Sequence, residues 1–205
     1  NLTLAPYRCY VKMNFDYKFK IALLGDSRVG KSSLLSREVY GDYLELYQPT
    51  VAVGYSSKVL NYDNKKIKLD IWDLSGDERY RTVLKTYLKH IHAVIIVYDV
   101  TNTESFNNVK QWVDFVESAR NGKVVYILLA NKIDKKKERL VNVDLGIRYA
   151  LKNEMLYLDV SAKNGKTMNF LTMVNEILIE KFRNEKSNPE KSNKEYVRWC
   201  SCDII

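Results

Sequence analysis

The chain alternates between short apolar runs and longer segments in which apolar residues recur at helical spacing. Six apolar runs have the length of strands and lie at residues 19–24, 51–60, 66–72, 93–100, 124–130 and 155–160. Helical spacing predicts helices at residues 31–40, 79–90, 103–120, 143–153 and 167–182, the third of them capped by Thr103. Strands that alternate with helices predict a three-layer α/β fold, with a six-stranded, mostly parallel sheet and about five flanking helices.

One pair of these strands should be antiparallel. The runs at 51–60 and 66–72 are joined by Asn61-Tyr62-Asp63-Asn64, which has the composition of a tight turn. A tight turn joins antiparallel strands, because parallel strands need a long crossover connection. The run at 93–100 is apolar throughout, which predicts a strand that is buried on both faces of the sheet.

The ends of the chain differ in composition from its middle. After residue 182 the sequence becomes polar and poor in apolar residues, which predicts a flexible tail at 183–205 behind a folded domain at 18–182. Residues 1–17 form an N-terminal extension, of which the part before Met13 is expected to be only partly native. No apolar run is long enough to span a bilayer, and no secretory signal is predicted.

Charge and cysteine content narrow the class of protein. The formal net charge of +8 is compatible with nucleic-acid binding or with a lysine-rich solvated surface. The lysines are scattered, with one short run at 135–137, so a solvated surface is preferred and no nucleic-acid partner is expected. Three cysteines, two of them at the end of the chain, do not form a disulfide framework, which favours a reducing, cytosolic setting.

A phosphate-binding loop is predicted at residues 25–32, GDSRVGKS, between the first strand and the first helix. Its glycines let the backbone wrap phosphates, and the amides of residues 28–33 form an anion-binding nest at a helix N-terminus. Lys31 can reach the β- and γ-phosphates, and the Ser32 hydroxyl can bind Mg²⁺. The alternative, a chance glycine loop, is disfavoured by the strand–loop–helix context.

Two further motifs indicate that the base is guanine. NKID at 131–134 follows a buried strand, and SAK at 161–163 follows the next one. Ligands of open α/β sheets bind at such carboxyl ends of strands. The Asp134 carboxylate can accept hydrogen bonds from guanine N1–H and the N2 amine, whereas adenine would leave it unpaired. NKID alone could be a polar turn, but the two motifs together favour a guanine pocket.

Five motifs now stand in a fixed order: GDSRVGKS at 25–32, Thr50, WDLSGDE at 72–78, NKID at 131–134 and SAK at 161–163. In this order and spacing they resemble the signature motifs of the Ras-superfamily small GTPases, over residues 18–182. Within the superfamily the chain is similar to the Rab family, through VAVGY at 51–55, KLDIWDLSGDERYR at 68–81, YDVT at 98–101 and the terminal Cys-Ser-Cys.

The resemblance implies a P-loop small-GTPase fold and a function. The protein would be a GTP/GDP switch that hydrolyses GTP and recruits effectors to membranes in vesicle traffic. Its other partners would be an exchange factor, a GTPase-activating protein and a prenyl-chaperone, which contact the switch regions and the tail. It would act as a monomer on the cytosolic face of endomembranes.

The resemblance also assigns a metal site and two moving segments. Ser32 and Thr50 would coordinate Mg²⁺ directly, Thr50 only in the GTP state, and Asp73 would hold the ion through water. Switch I (about 41–55) and switch II (about 73–88) would order around the γ-phosphate and relax after hydrolysis.

The nucleotide contacts that the motifs and the resemblance imply come from several loops. Tyr43 would pack over the guanine, Tyr47 would lie over the phosphates, and the Gly76 amide would sense the γ-phosphate. The whole expected set is Ser27, Arg28, Val29, Gly30, Lys31, Ser32, Ser33, Tyr43, Tyr47, Thr50, Gly76, Asn131, Lys132, Asp134, Ser161, Ala162 and Lys163. Catalysis would involve Lys31, Gly76 and the residue at position 77.

Position 77 departs from the family pattern, which usually has a glutamine that orients the attacking water. Asp77 is shorter, is anionic at neutral pH and has no amide N–H to donate. We therefore expect slow intrinsic GTP hydrolysis with near-normal nucleotide binding, although activating proteins of Rabs can supply a glutamine in trans. The alternative is a largely GTP-locked scaffold that binds effectors without turnover. The neighbouring Glu78 is expected to be a solvated residue without a chemical role.

The C-terminal cysteines are candidates for lipidation. Beside a Rab-like domain, prenylation of Cys200 and Cys202 is preferred over unmodified cysteines. Cys202-Asp203-Ile204-Ile205 also loosely fits the C-a-a-X prenylation pattern, so which cysteine is modified stays open. One lipid chain gives marginal anchoring and two give stable anchoring.

Overall fold

The computed structural model describes residues 14–43, 48–165 and 169–187. Its six strands form one sheet in the order β2-β3-β1-β4-β5-β6. They are β1 (Tyr17–Leu24), β2 (Val53–Tyr62), β3 (Lys65–Leu74), β4 (Ala93–Asp99), β5 (Val125–Asn131) and β6 (Leu156–Asp159). β2 pairs with β3 antiparallel, and every other neighbouring pair is parallel. The predicted fold class, including its single antiparallel strand, is confirmed.

The helices flank both faces of this sheet. Within the described ranges they are α1 (Lys31–Tyr40), α2 (Arg81–Leu84), α3 (Thr103–Asn107), α4 (Val109–Glu117), α5 (Val143–Lys152) and α6 (Phe170–Ser187). Short 3₁₀ turns lie at Glu78–Tyr80, Lys85–Leu88 and Lys136–Glu138. In the part of the chain that the structure describes, no helix has the length and apolarity needed to cross a membrane.

The predicted helix at 103–120 is two helices, because the helix breaks at Asn108. Its predicted cap is also corrected. The Asn102 side chain, not Thr103, accepts the backbone N–H groups of Glu104 and Ser105, at 2.9 and 3.3 Å. Asn102 has the extended backbone of an N-cap residue, and its carbonyl side chain satisfies donors that the first helical turn leaves unpaired.

The predicted helix at 79–90 is shorter and irregular, since a 3₁₀ turn lies on each side of α2. Aromatic packing holds this segment against the sheet. Tyr87 contacts Trp72 of β3 with ring centroids 5.2 Å apart, and Trp72 contacts Tyr55 of β2 at 4.8 Å. Packing of this kind outweighs the local helical period, because a short helix has little stability of its own.

The predicted helix at 167–182 begins at Phe170 and continues to Ser187, into the segment predicted as tail. Residues 166–168 lie outside the described ranges. Phe182 packs on Phe19 of β1, with ring centroids 5.3 Å apart, so the end of α6 is held at the amino-terminal edge of the sheet. The carboxyl ends of the parallel strands lie at the opposite edge.

The sheet separates two apolar clusters that hold the layers together. One cluster contains the α1 and α6 side chains Leu34, Phe170 and Leu178, and the other contains Trp112 and Val116 of α4. Each of these five side chains is almost fully buried. Both helical layers are therefore fixed on the sheet, and the loops at its carboxyl edge start from rigid positions.

His92 lies at the amino-terminal edge, between β1 and α6. Its Nδ1 accepts the backbone N–H of Lys20 at 2.9 Å, and its ring contacts Phe19 and Phe182, each with centroids 5.5 Å apart. Partial burial, together with the nearby Lys20 charge, holds the pKa of His92 below its ordinary value. The neutral imidazole is thus the form that the fold favours.

This arrangement predicts a loss of stability in mild acid. Because the pKa of His92 is lower in the folded than in the unfolded chain, the unfolded chain binds more protons as the pH falls through about 6.5. The melting temperature of His92→Phe should therefore change less between pH 7.5 and 5.5 than that of the wild type. His90→Asn is the matched control, since His90 is exposed on a turn, and it should keep the wild-type slope. An unchanged slope in His92→Phe would contradict the assignment.

Candidate functional site

A cleft of about 1050 Å³ opens at the carboxyl edge of the sheet. It is lined by the loops that follow β1, β3, β5 and β6 and by residues 48–51 before β2, so that all five sequence motifs contribute to it or border it. Crevices at the carboxyl ends of strands are where open α/β sheets bind ligands. The fold therefore gathers motifs that are more than a hundred residues apart in sequence into one cavity.

The loop after β1 has a backbone that only special residues tolerate. Gly25 has φ 135°, and a Cβ added there would lie 2.2 Å from the Val97 carbonyl oxygen. Gly30 has φ 98°, and Arg28 is also in the left-handed region, with φ 66°. A non-glycine residue in that region costs roughly 1–2 kcal/mol, so the loop is held in this shape by its surroundings.

Lys31 is enclosed by this loop and is only 6% exposed. Its Nζ donates to the carbonyl oxygens of Gly25, at 2.7 Å, and Asp26, at 2.8 Å. Burial lowers its pKa to about 8, and the nearby Asp73 and Asp26 charges oppose that change. The ammonium group thus lies at the floor of the cleft, where two carbonyl groups and two nearby carboxylates compensate its charge only in part.

The Asp26 side chain ties the loop to the helical layer. Its two oxygens accept Trp112 Nε1–H at 2.7 Å and Asn108 Nδ2–H at 2.8 Å. The Arg81 guanidinium lies over the Trp112 ring, 5.0 Å from its centre. This anchor could not be predicted from the sequence, because nothing in the local pattern relates Asp26 to residues about 80 positions away.

Three oxygen-bearing side chains meet beside Lys31. Ser32 Oγ donates to Asp73 Oδ2 at 2.5 Å and lies 2.9 Å from Thr50 Oγ1, which is itself 3.4 Å from Asp73 Oδ2. Asp73 is 5% exposed, and burial raises the pKa of its carboxyl group. Among the described residues, no group hydrogen-bonds the buried Asp73 Oδ1. The residues predicted to hold Mg²⁺ therefore lie together, and one oxygen of Asp73, Oδ1, accepts no hydrogen bond from the described residues.

Asn131 joins the loop after β5 to two others. Its Nδ2 donates to the Val29 carbonyl at 2.8 Å, and its Oδ1 accepts the Ala162 N–H at 3.3 Å. Arg37 of α1, which belongs to none of the sequence motifs, donates to the carbonyl groups of Ala162 and Lys163, at 3.1 and 2.8 Å. The loop after β6 is thus held by side chains from α1 and β5.

The other residues of the NKID motif are also engaged. Asp134 Oδ1 accepts the Ser161 hydroxyl at 2.6 Å, which links the two predicted base-side motifs. Lys132 Nζ donates to the Arg28 carbonyl at 2.9 Å and pairs with Asp99 at 2.6 Å. Asp99, at the end of β4, was also missed from sequence, although YDVT was noticed as a motif.

The turn after β3 packs directly on the phosphate loop. A Cβ added to Gly76 would lie 2.3 Å from the Ser27 nitrogen and 2.4 Å from the Asp26 carbonyl carbon. The contact is backbone against backbone, so neither side can move without moving its loop. It couples the predicted switch II to the predicted phosphate loop.

Asp77, the next residue, has its carboxylate turned to Arg79. Asp77 Oδ1 accepts the Arg79 backbone N–H at 3.0 Å and so caps the 3₁₀ turn, while Arg79 Nε and Nη2 reach Oδ2 at 3.0 and 2.6 Å. These bonds hold the pKa of Asp77 below its ordinary value. Glu78 is solvent-exposed and pairs with Arg81 at 3.2 Å, as expected for a residue of the first turn.

The remaining predicted residues fall into two groups. Ser33, Tyr43 and Lys163 line the cleft. Tyr47, Cys200 and Cys202 lie outside the described residues.

A glycine-rich loop between a strand and a helix, facing three further loops at the same sheet edge, is the arrangement of a P-loop nucleotide-binding protein. Comparison with known proteins narrows this class. The model of the Ras family matches residues 20–179. The chain belongs to the Ras family.

Its relatives point to one branch of that family. The chain is 39% identical to the Ras-related protein RABD1 of Arabidopsis thaliana, over 87% of each chain. It is 41% identical to the GTP-binding protein YPT1 of Saccharomyces cerevisiae, over 80% of each chain. It is 42% identical to the Ras-related protein RIC1 of Oryza sativa subsp. japonica, over 80% of this chain and 82% of the relative. The predicted resemblance to Rab-type small GTPases is confirmed.

The contact at Gly76 leads to a stability prediction. Gly76→Ala should lower the melting temperature by an amount that corresponds to about 1–3 kcal/mol, because the added methyl group overlaps backbone atoms. Thermal unfolding followed by circular dichroism measures this. The matched control is Gly54→Ala, whose Cβ would lie 3.5 Å from the nearest atom, Asp73 Cβ. Equal changes of the melting temperature in Gly76→Ala and Gly54→Ala would contradict the close packing of the turn after β3 on the phosphate loop.

Proposed function

We propose that this protein is a Rab-type switch that binds GTP or GDP with Mg²⁺ in the cleft and recruits effectors to membranes in one of the two states. The observation that carries the proposal is the meeting of Ser32, Thr50 and Asp73 beside the phosphate loop. Family membership supports it, as does the yeast relative, whose name describes a GTP-binding protein.

The nucleotide would lie across the carboxyl edge of the sheet. The amides of residues 28–33 would bind the phosphates, and Lys31 would exchange its present carbonyl partners for phosphate oxygens. Asp134, held by Ser161, would accept the guanine N1–H and N2 amine. The Asn131 side chain would keep the base-side loops at a fixed distance from the phosphate loop.

The residues present fit a magnesium ion. Ser32, Thr50 and Asp73 offer only oxygen atoms, which Mg²⁺ prefers, and Asp73 Oδ1 is a buried acceptor with no partner among the described side chains. Such an oxygen is costly unless a cation or a donor satisfies it. When bound, the ion would supply positive charge to the phosphates of the nucleotide.

The switch would depend on two segments that meet the γ-phosphate from opposite sides. Thr50 belongs to the predicted switch I and already contacts Ser32, and Gly76 belongs to the predicted switch II and already contacts the phosphate loop. Loss of the γ-phosphate would remove a shared partner of both segments, so both would relax. Effectors and the activating protein would recognise the difference, and the exchange factor would reload the site.

Hydrolysis is proposed to be slow because of Asp77. This residue lines the cleft where an amide side chain would otherwise orient water. Its carboxylate offers no N–H donor, and its oxygens are already engaged by Arg79. Lys31 and the Gly76 amide remain available to stabilise charge on the γ-phosphoryl group.

A second function is favoured by the same residue. If turnover is negligible, the protein would be a GTP-loaded scaffold that holds effectors and cycles mainly by nucleotide exchange. The two functions differ in the nucleotide that the purified protein carries. Mostly GDP indicates turnover, and mostly GTP indicates the scaffold.

The tail would attach the protein to the cytosolic face of endomembranes through prenyl groups on Cys200 and Cys202, delivered by a prenyl-chaperone. The end of α6 lies at the amino-terminal edge of the sheet, opposite the cleft, which supports a switch face that points away from the membrane.

Single-turnover hydrolysis of preloaded GTP tests the proposal. Asp77→Gln should raise the rate by about tenfold or more, because it restores a neutral donor to the attacking water. Glu78→Gln also replaces a carboxylate with a glutamine amide, one residue away and outside the cleft lining, and should leave the rate unchanged. A wild-type hydrolysis rate equal to that of Asp77→Gln would contradict the role given to Asp77. An absence of Mg²⁺-dependent GTP binding would contradict the proposed function itself.

A further inference from the structure

The Asp77–Arg79 pair is unusual in its position, because it places an ion pair at the lining of a cleft that is built for phosphate. Three donors of Arg79 converge on one carboxylate: the backbone N–H, Nε and Nη2. The contact of Nε with both oxygens, at 3.1 and 3.0 Å, and of Nη2 with Oδ2 at 2.6 Å fixes the carboxylate plane. Charge-assisted contacts of this forked kind are stronger and more directional than single hydrogen bonds.

An unpaired carboxylate at this place would hinder GTP specifically. Asp77 lines the cleft next to Gly76, at the end where the γ-phosphate is expected, and like charges a few ångströms apart repel each other even in water. GDP has no γ-phosphate, so the penalty would fall on GTP alone. A counter-charge beside Asp77 would therefore shift the nucleotide preference of the site towards GTP.

Three other cations of this region have different partners. Lys31 donates to the carbonyl groups of Gly25 and Asp26, Lys132 pairs with Asp99, and Arg81 pairs with Glu78. Among the described residues, Arg79 is the cation that the structure pairs with Asp77. Its side chain is 81% exposed, so the pair forms at the mouth of the cleft rather than in its floor.

We propose that Arg79 is a positioning residue that neutralises the Asp77 carboxylate and turns it away from the γ-phosphate, so that GTP is admitted despite an acid in the switch. The inference rests on the proposed function and extends it, since it gives Arg79 control over the preference for GTP or GDP. The capping bond from the Arg79 backbone to Asp77 sets the direction of the carboxylate, and the guanidinium supplies the charge.

The expected effect is a change in nucleotide preference and not a general loss of binding. Removing the guanidinium in Arg79→Ala should lower the affinity for a non-hydrolysable GTP analogue about fivefold relative to GDP, the size expected for an exposed pair at low salt. The effect should shrink as ionic strength rises, because exposed charges are screened. Arg79→Lys should lie between Ala and the wild type, since it keeps the charge without the fork.

A double-mutant cycle with Asp77→Asn tests the coupling. Affinities for the GTP analogue and for GDP are measured by competition in wild type, Arg79→Ala, Asp77→Asn and the double variant, with saturating Mg²⁺. In the Asp77→Asn background, Arg79→Ala should leave the ratio of the two affinities unchanged, because there is no carboxylate to neutralise. Lys85→Ala removes an exposed positive charge from the next 3₁₀ turn, outside the cleft lining, and should leave the ratio at its wild-type value.

The outcomes separate this inference from the function beneath it. Equal effects of Arg79→Ala in both backgrounds, or no change in the ratio in the Asp77 background, would overturn the role of Arg79 while the GTP-binding function stands. If the wild type binds neither nucleotide, the function and the inference are both overturned. A merely structural role for Arg79 would lower both affinities together and would not depend on residue 77.

Discussion

The site depends on one buried carboxylate, that of Asp73 at the end of β3. A negative charge away from water must be paired or hydrogen-bonded, and this requirement draws Ser32 and Thr50 to it from two other segments. The same charge acts on the buried ammonium of Lys31. These groups come from the phosphate loop, from α1 and from the loop before β2. The Asp73 carboxylate therefore holds the predicted switch I segment close to the phosphate loop.

Two acids lie close together here, Asp73 at the end of β3 and Asp77 in the turn that follows, and the negative charge of each is accommodated in a different way. Asp73 is enclosed, keeps one oxygen without a partner among the described residues and suits a divalent cation. Asp77 lies at the mouth of the cleft and forms an ion pair with Arg79, two residues further along the same turn. Under the proposed function, nucleotide binding would be compatible with both acids, while hydrolysis would lack the neutral amide that the family usually has at position 77. Binding and catalysis would then rely on different residues of one short segment.

The elements with strong local signals could be predicted from the sequence. The sheet, its hairpin and the motif loops follow from apolar runs, turn residues and glycine spacing. The structure also brings together Ser32, Thr50 and Asp73, the residues predicted to hold Mg²⁺. The contact of the Asn108 side chain with Asp26 could not be predicted, since the two residues are distant in sequence. The sequence revealed that Asp77 was anomalous but not that its carboxylate turns to Arg79, which depends on the conformation of the 3₁₀ turn.

The most direct test of the account is the Mg²⁺ dependence of nucleotide release in the wild type and in Asp73→Asn. The exchange keeps the shape of the side chain and removes its charge. The account predicts that lowering free Mg²⁺ accelerates release from the wild type, and that Asp73→Asn requires about ten- to a hundredfold more Mg²⁺ to slow release. A wild-type release rate that does not depend on Mg²⁺, or the same Mg²⁺ dependence in Asp73→Asn as in the wild type, would contradict the account.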